Sequence, residues 1–371
     1  MTVEEMGTEM APRESTVEHS SSMAWAHHAM ANLYFHSPMP ALTKRLRDRY
    51  RVAVSPAGGW RKLSFEKRTQ PTARILYYHR VNDDNDPFFP AISTKLFDEE
   101  MRYVSKRYRV VSVAEMLRVL AGGSTEPVLA ITFDDGYQDN YHQAFPILQR
   151  YDLPASIFLT TEPIDSREPL WFEQIALAVK KTAKDSIDLE IDSVRRFWLR
   201  TQAERLESIE GIFGLLRDAS DSDRRQWLTR ILRHLAVEND RDRHDKMLTW
   251  DQIRCMQARG IDFGGHTVTH PFLSRMSSEQ VAWEVSECKR RMEAELQLPV
   301  LHFAYPNGRE KDFGSWNREI VRKAGYKAAV TTIWGPNHRS TDPMELRRGG
   351  PWETTPAAFA YKLDWYQLVD G

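Results

Sequence analysis

The sequence predicts an α/β protein in which parallel strands alternate with helices, and it favours a barrel over an open sheet. From residue 73 onward, short apolar segments with strand character alternate with segments of helical periodicity. Strands separated by helices form parallel sheets with right-handed crossovers. Polar motifs follow several of these strands, and in a barrel such motifs meet at the carboxyl-terminal rim.

The composition is that of a globular protein with a sizeable core. The 371 residues are 41% hydrophobic and 11% aromatic. Lys and Arg number 51 and Asp and Glu number 52, which gives a net charge of -1. This balance provides no basic surface for nucleic acid, so we expect no nucleic-acid partner. Two cysteines indicate no disulfide framework.

Residues 1–70 are predicted to form an N-terminal extension with weak periodicity. The stretch from Met1 to Ser22 is polar and has no basic segment followed by an apolar run, so it predicts no secretory signal. No apolar run in the sequence is long enough for a membrane-spanning helix. These features predict a cytoplasmic protein without a transmembrane segment.

The barrel is predicted to comprise residues 71–163 and 249–371. Its first strands are expected at Ile75–Tyr78, Val128–Phe133 and Ala155–Leu159, with helices between them. The later part begins with capping-box patterns, which pair a Thr or Ser with a Gln three residues on. Further strands are expected at Ile261–Gly264, Leu301–Tyr305 and Ala328–Thr332.

Residues 164–248 interrupt the alternation with a charged segment that is predicted to be helical, including Arg195–Leu216 and Asp223–Leu235. We interpret this segment as an insertion that forms a helical lid, or a subunit contact of a homo-oligomer, near the site. On this interpretation, its removal changes substrate range or oligomeric state more than metal binding.

Three motifs at strand ends carry the chemistry. Asp134 and Asp135 follow a buried strand, although such a pair could also cap a helix. His266 and His270 have the spacing that on one helical turn brings two imidazoles to one cation. Phe303–Gly308 ends a strand in a turn that can present backbone N–H groups. Each motif alone is a weak signal, but together they supply a carboxylate, two imidazoles and an oxyanion site for metal-dependent hydrolysis.

The segments Thr132–Gly136, His266–His270 and Phe303–Gly308 resemble the ordered motifs of the polysaccharide deacetylases, carbohydrate esterase family 4. The resemblance covers roughly residues 73–163 and 249–350, and an early Tyr-His element is similar to that of the poly-N-acetylglucosamine deacetylases. It implies a distorted (β/α) barrel with fewer than eight full units. It also implies removal of acetyl groups from an N-acetylated sugar or glycan, with a divalent metal ion as cofactor. Zinc is the expected ion, and cobalt or nickel is possible.

Within this resemblance, Asp134 is the general base, and Asp135, His266 and His270 hold the metal. The backbone N–H of Asn307 is expected to complete the oxyanion hole. The two residues before it in the substrate-facing turn are Tyr305 and Pro306.

The chain departs from the family pattern in one position of the third motif. Many members have an Arg there that orients the base, but this chain has Ala304. We expect Arg347 or Arg348, near the C-terminus, to replace that charge from another direction.

The late Leu-x-His motif, whose His is the general acid of the family, is also missing. His79, in the early Tyr-His element, is the candidate replacement, and a neighbouring carboxylate is expected to keep its imidazole protonated near neutral pH. The alternative is a structural His79 paired with Asp83 or Asp84. His338 and His302 are the other histidines considered for this role.

Two other functions stay open at this point. An amidase or deformylase acting on a small amide could use the same site, because such a metal centre hydrolyses any amide whose carbonyl group reaches it. A non-catalytic glycan-binding module could share the fold, but a binder has no need for an ionised base beside the metal. A panel of N-acetylated glycans and small amides separates these alternatives.

Overall fold

The computed structural model describes residues 52–54, 60–62, 72–122, 126–190, 194–236 and 246–369. Most of the predicted N-terminal extension therefore lies outside the described residues. Two compact units divide the chain, one spanning Glu66–Trp352 and the other including Glu353–Val369. The sheet and the candidate site belong to the first unit.

The strands and helices alternate from residue 73, as the sequence predicts. The strands are β1 (Val52–Val54), β2 (Trp60–Lys62), β3 (Ala73–Tyr78), β4 (Arg109–Val110), β5 (Val128–Phe133), β6 (Ser156–Leu159), β7 (Ser186–Glu190), β8 (Val194–Trp198), β9 (Asp262–Gly265), β10 (His302–Ala304) and β11 (Ala328–Val330). The α-helices are α1 (Thr94–Arg107), α2 (Val113–Gly122), α3 (Phe145–Arg150), α4 (Thr161–Ser166), α5 (Trp171–Lys181), α6 (Gln202–Asp218), α7 (Asp221–Leu235), α8 (Trp250–Gln257), α9 (Ser278–Leu296), α10 (Ser315–Lys323) and α11 (Pro356–Val369). A π-helix covers Asn140–Ala144, and 3-10 turns cover Leu273–Arg275 and Pro343–Glu345.

The central sheet is parallel throughout, and its strand order is β3-β5-β6-β9-β10-β11, with β4 beside β5. Each strand lies next to the one that follows it along this series, as right-handed β-α-β connections produce. The strand ends are in register, since Tyr78 pairs with Phe133 and Leu159 pairs with Gly265. The residues that follow these strands therefore emerge at one edge of the sheet.

A segment without regular strand structure, Leu346–Gly349, closes the sheet into a barrel. Leu346 forms a parallel bridge with Val330 of β11, and Gly349 forms one with Leu76 of β3. The segment thus hydrogen-bonds to both edge strands of the sheet. The irregular segment takes the place of a further strand between β11 and β3, so the barrel has fewer than eight full units. The predicted distorted (β/α) barrel is confirmed.

Apolar side chains from both ends of the sheet share one core cluster with helix α2. Full burial of a Val, Leu, Ile, Phe or Met side chain stabilises a fold by about 1.5–3 kcal/mol. The cluster comprises Ala73, Ile75, Val111, Val113, Met116, Val119, Leu120, Val128, Ala130, Phe158, Ala304, Ala328, Val330 and Leu346. Every residue of β3 and β5 is buried, and most are apolar, as expected for strands of a parallel sheet that is covered on both faces.

The described residues of the segment 164–248 include α5, the antiparallel pair β7–β8 and helices α6 and α7, which surround a second core cluster. The expectation of a helix from Arg195 onward is wrong at its start, because β8 pairs with β7 in an antiparallel hairpin. Ile187 faces the second core and lies opposite Phe197. Both charged residues of β8 are exposed, so their spacing in the sequence does not mark the face of a buried helix. The following helix begins at a capping box of Thr201 with Glu204.

None of the helices in the described part of the chain has the length and apolar character needed to cross a membrane.

Candidate active site

Asp134 and Asp135 lie in a tight turn directly after β5. The backbone N–H of Asp134 continues the sheet by donating to the Tyr78 carbonyl group at 3.0 Å. Asp135 and Gly136 then adopt left-handed conformations, with φ of 73° and 88°. Non-glycine residues rarely adopt such a conformation, and it is most frequent at functional sites. Both carboxylates are consequently buried within the barrel instead of capping the next helix.

Arg348 forms a bidentate ion pair with Asp134. Its two terminal nitrogens donate to the two carboxylate oxygens of Asp134 at 2.7 Å each, and its Nε donates to the Thr331 carbonyl group at 2.8 Å. The Arg348 side chain is fully buried. Because Arg348 belongs to the closing segment Leu346–Gly349, the closure of the barrel also delivers the guanidinium group. Arg347 is exposed and takes no part in this ion pair.

The ion pair determines the charge of Asp134. Burial by itself raises the pKa of this carboxyl group, but the Arg348 guanidinium, the adjacent His266 and the hydrogen bonds from Arg348 together hold the pKa well below its usual range. Asp134 is therefore ionised at neutral pH with both oxygens fixed in position. An oriented carboxylate of this kind can accept a proton from a substrate water.

His266 and His270 lie in a loop after β9 and not on a helical turn, so the sequence-based expectation for their local structure is wrong. Thr267 and His270 have φ of 70° and 56°. The backbone N–H of His270 donates to the Thr267 hydroxyl at 3.0 Å. Glu284 of α9 fixes the middle of this loop by accepting the N–H groups of Val268 and Thr269 at 2.8 and 2.9 Å.

Asp135, His266 and His270 converge on one point and are suited to a metal ion. The Nε2 atoms of His266 and His270 lie 3.5 and 3.4 Å from Asp135 Oδ1. Two ligands of one tetrahedral zinc ion are separated by roughly 3.4 Å when each is about 2.0–2.1 Å from the metal. Asp135 Oδ1 is buried and has no hydrogen-bond partner within the described ranges, as expected of a ligand atom. Among the described residues, this is the one group of three or more His, Cys, Asp or Glu side chains close enough to share an ion.

The pKa shifts of the three side chains agree with a ligand set that requires a cation. Burial lowers the pKa of His266 to about 4 and that of His270 well below its usual value, so both imidazoles are neutral at pH 7. The His266 Nδ1 lies 2.7 Å from the Ala304 carbonyl oxygen, which leaves Nε2 for a metal. Burial, Asp134 and Glu173 raise the pKa of Asp135 well above its usual value. A bound cation relieves this repulsion.

The turn after β10 places one free backbone donor at the site. Asn307 has a φ of 60°, and its N–H has no hydrogen-bond partner among the described residues. The turn is fixed by Thr332, whose hydroxyl donates to the Asn307 carbonyl group at 2.6 Å. Tyr305 is buried, and both of its donors are used within the fold, the N–H by the Val330 carbonyl group and the hydroxyl by the Met344 carbonyl group at 3.0 Å. Pro306 has no N–H, so Asn307 alone is left as the donor of this turn.

His79 follows β3 at the same rim, close enough to Asp134 and Arg348 for their charges to affect its pKa. Burial lowers that pKa and outweighs the opposing effect of Asp134, so the expectation of a protonated imidazole near neutral pH is wrong. The ring is held by an edge contact with Tyr77, with centroids 5.8 Å apart. Neither Asp83 nor Asp84 is paired with it. His302 lies instead beside Asp262, with Nδ1 3.4 Å from a carboxylate oxygen.

Three residues that contribute to the site were missed by the sequence analysis. Glu284 anchors the histidine loop, and Glu173 and Tyr137 lie close to Asp135. The sequence does contain a signal for Glu284. Glu284 lies on the apolar face of its helix beside Val281 and Val285, where a carboxyl group is expected only if it has a specific partner.

Comparisons with known proteins agree with this geometry. The polysaccharide deacetylase family model matches residues 121–212 and 217–329, which together exceed half of the chain. YxkH of Bacillus subtilis, which is named as a polysaccharide deacetylase, is 27% identical over 160 residues, or 42% of this chain and 55% of that protein. The poly-beta-1,6-N-acetyl-D-glucosamine N-deacetylase of Escherichia coli is 37% identical over 84 residues, or 22% of this chain and 12% of that protein. The chain thus spans about half or less of the length of these relatives.

Solved structures share the fold. The Streptococcus pyogenes deacetylase PplD, in complex with acetate, superposes with a TM-score of 0.53 at 20% identity, covering 78% of this chain and 97% of that one. IcaB from Ammonifex degensii superposes with a TM-score of 0.52 at 20% identity, covering 81% and 100%. The family match includes Asp134, Asp135, the histidine loop and the Asn307 turn, and with it the resemblance first seen in three short motifs is confirmed. This chain belongs to the polysaccharide deacetylase family.

Proposed function

We propose that this protein is a metal-dependent N-deacetylase that acts on an N-acetylated sugar or glycan. One observation carries the proposal. A carboxylate fixed by Arg348 lies next to a separate Asp, His, His triad that can bind a metal, so a base and a ligand set are present as distinct groups. Amide hydrolysis requires both a base for water and a polarised carbonyl group.

The residues of the chain divide the reaction between them. A divalent ion held by Asp135, His266 and His270 would supply Lewis-acid polarisation of the amide carbonyl group. Asp134, kept ionised by Arg348, accepts the proton of the attacking water. The N–H of Asn307 donates to the oxygen of the tetrahedral intermediate.

Zinc is our proposal for the ion. Two neutral imidazoles and one carboxylate form a common catalytic zinc ligand set that leaves positions open for water and substrate. Cobalt and nickel accept the same nitrogen and oxygen donors, so the ion bound by the protein must be measured directly.

An aromatic rim supports a sugar substrate over a small amide. Trp352 is 68% exposed and makes an edge contact with Tyr77, with ring centroids 5.7 Å apart. Tyr77 in turn lies over the Arg348 guanidinium at 4.8 Å. The Trp352 ring rests on Gly350, where a side chain would clash with the indole. Trp352 thus offers an exposed apolar ring that is linked through Tyr77 to the Arg348–Asp134 ion pair, and we propose that a pyranose ring stacks on it.

The proposal is tested by acetate release from N-acetylated glucosamine oligomers, with a formamide and a small acetamide as competing substrates. We expect turnover of the oligomers, complete loss after chelation, and recovery with zinc. The matched inactive control is Asp134→Asn. Cleavage of the formamide without cleavage of any oligomer would support the small-amide alternative, and metal binding without any turnover would support a binding module.

We also propose that His79 provides the proton for the departing amine. Its lowered pKa leaves it neutral at rest, so it must first take up a proton, and the nearby Asp134 is the group that acquires one from water. His79→Ala is expected to lower kcat for amides by roughly 10²–10⁴ without loss of metal. The defect should shrink with activated acetate esters, whose leaving group needs no proton. Wild-type amide turnover in this variant would assign His79 a structural role.

A further inference from the structure

The first turn of α5 contacts the metal ligand His270 through two consecutive side chains. Trp171 donates its indole N–H to the His270 carbonyl oxygen at 2.9 Å. Phe172 makes an edge contact with the His270 imidazole, with ring centroids 5.3 Å apart at 65°. A further ring contact of the imidazole is with another proposed ligand, His266, at 4.9 Å between centroids. His270 Nδ1 is buried without a hydrogen-bond partner in the described part of the chain.

The contrast with His266 shows why these contacts matter. His266 is oriented by the hydrogen bond between Nδ1 and the Ala304 carbonyl oxygen. A ligand imidazole normally makes a hydrogen bond of this kind through its second nitrogen, and that bond fixes the ring. His270 has no such bond among the described residues. Thr267 and Trp171 hold its backbone, and its ring packs against Phe172 and His266.

The next residue of the same turn reaches the third ligand indirectly. Glu173 is 4% exposed, and its carboxyl group interacts with the Tyr137 hydroxyl. The same hydroxyl interacts with Asp135. Tyr137 is itself fully enclosed, with the Arg80 guanidinium 4.9 Å over its ring. Glu173 therefore lies behind Asp135, with one phenol group between them.

Packing alone does not account for Glu173. A buried carboxyl group destabilises the fold unless its oxygens have partners, and Glu173 Oε2 has none among the described residues. Apolar residues on either side of it, including Trp171 and Ile175, fill the second core. An apolar side chain would be equally suited to packing at this position, whereas only a polar one can interact with Tyr137.

We infer that the first turn of α5, Trp171–Glu173, positions the metal site, holding His270 directly and Asp135 through Tyr137. Trp171, Glu173 and Tyr137 are positioning residues in this arrangement. The start of α5 is then part of the surroundings of the metal site. We therefore expect removal of the segment 164–248 to weaken metal binding, in contrast to the prediction from sequence that it changes substrate range or oligomeric state more than metal binding. The inference concerns the site of the proposed function, but it is tested by metal binding in the absence of substrate.

The experiment measures zinc affinity of the full chain by competition with a chromophoric chelator. Trp171→Phe removes one hydrogen bond and keeps an aromatic ring, Tyr137→Phe removes the hydroxyl, and Glu173→Gln removes the charge. Loss of such an outer contact typically weakens metal binding 10–100-fold, and we expect that range for Tyr137→Phe and Trp171→Phe. The visible spectrum of the cobalt-loaded variants should also change, because it reports the geometry of the ligands.

The chain offers matched controls in a second Tyr–Glu pair. The Tyr78 hydroxyl donates to the fully buried Glu100 at 2.8 Å, on the helix α1 side of the sheet. Tyr78→Phe and Glu100→Gln remove equivalent buried interactions, and they should leave the zinc affinity and the cobalt spectrum unchanged. Trp227→Phe is the control for an indole in the second core.

Folded Trp171→Phe and Tyr137→Phe variants with wild-type zinc affinity and an unchanged cobalt spectrum would overturn the inference. An equal loss of zinc affinity in the Tyr78→Phe control would also overturn it, because the effect would then reflect general stability. Tight zinc binding by the wild type without acetate release from any glycan would instead refute the proposed function and leave this inference standing.

Discussion

The two sides of the candidate site shift the pKa values of two neighbouring carboxyl groups, those of Asp134 and Asp135, in opposite directions. On the side of the closing segment Leu346–Gly349, Arg348 compensates the charge of Asp134 and lowers its pKa. On the side of helix α5, Asp135 meets another acid, Glu173, and its pKa is raised. Asp134 and Asp135 are equally buried, each with 2% of its surface exposed. Burial is therefore not what distinguishes them.

The difference lies in which counter-charge the fold provides. Asp134 has a permanent cation in the protein, so it is ionised and oriented before any metal binds. Asp135 forms no ion pair with an Arg or Lys side chain of the described residues, and the more distant Arg348 does not offset the effects that raise its pKa. A bound cation would stabilise its anionic form. This difference supports the proposal that Asp134 transfers the proton and that Asp135 binds the metal, although the two are adjacent in the chain.

We expect the largest change in activity when each of the two acids is replaced by asparagine in a separate variant. Asp134→Asn should lower kcat by roughly 10²–10⁴ with metal content retained, because it removes a positioned base. Asp135→Asn should lower the metal content itself. Acetate release and elemental analysis on both proteins measure the two effects. Equal metal contents in the two variants would remove the division of roles.

A smaller effect is expected when the cation of the closing segment is removed. Arg348→Met leaves Asp134 buried without its partner, so the pKa of Asp134 rises, and kcat/KM near neutral pH should fall by roughly 10–10² or more. The acid limb of the pH profile should move to higher pH. Breaking a buried ion pair also destabilises the fold by about 3–5 kcal/mol, so Arg348→Lys serves as the milder variant.

The control for this experiment is the adjacent, exposed Arg347→Met, which should leave the profile unchanged. An acid limb at the same pH in Arg348→Lys, Arg348→Met and the wild type would show that Arg348 does not set the ionisation of Asp134.

Metal affinity should depend on pH through Asp135 and not through the histidines. Burial lowers the pKa of His266 to about 4 and that of His270 well below its usual value, so neither imidazole takes up a proton near neutral pH. The raised pKa of Asp135 means that affinity should fall by about tenfold per pH unit below that pKa. Chelator competition across a pH series measures this dependence.

The same series in Asp134→Asn gives a directional check. Removing the neighbouring negative charge lowers the pKa of Asp135, so the loss of affinity should begin at lower pH. If the pH midpoint of the affinity loss lay at the ordinary pKa of histidine in both proteins, the histidines and not Asp135 would control metal binding. That result would contradict the proposed assignment.

The smallest expected effect concerns the aromatic rim. Trp352→Ala should raise KM for N-acetylated oligomers about fivefold, since one ring-stacking contact contributes about 0.5–1.5 kcal/mol. Turnover of a small activated ester should be unaffected. Trp198→Ala is the matched control, because that exposed indole contacts Arg196 and Arg200 on the hairpin β7–β8. Equal KM values for Trp352→Ala and the control would exclude the rim from substrate binding.

The sequence alone was sufficient for the fold class and for the groups that meet at the rim. Apolar strand segments alternate with capped helices, and this pattern depends only on local spacing and end signals. The motifs at Asp134, His266 and Asn307 each follow a strand, and parallel strands present their ends at one edge. Their approximate convergence therefore follows from topology without knowledge of any side-chain contact.

Only the tertiary structure decided how these groups are oriented and charged. Arg348 could be proposed as a substitute for the missing Arg, but the sequence offered Arg347 equally, and the register of the closing segment selects one of them. Asp135 and His270 adopt left-handed conformations that local spacing does not indicate. The four-residue spacing of His266 and His270 suggested a helical turn, and the structure has a loop there. Glu173 reaches the site across a large sequence separation. Charge and orientation depend on such long-range neighbours, which local sequence patterns do not encode.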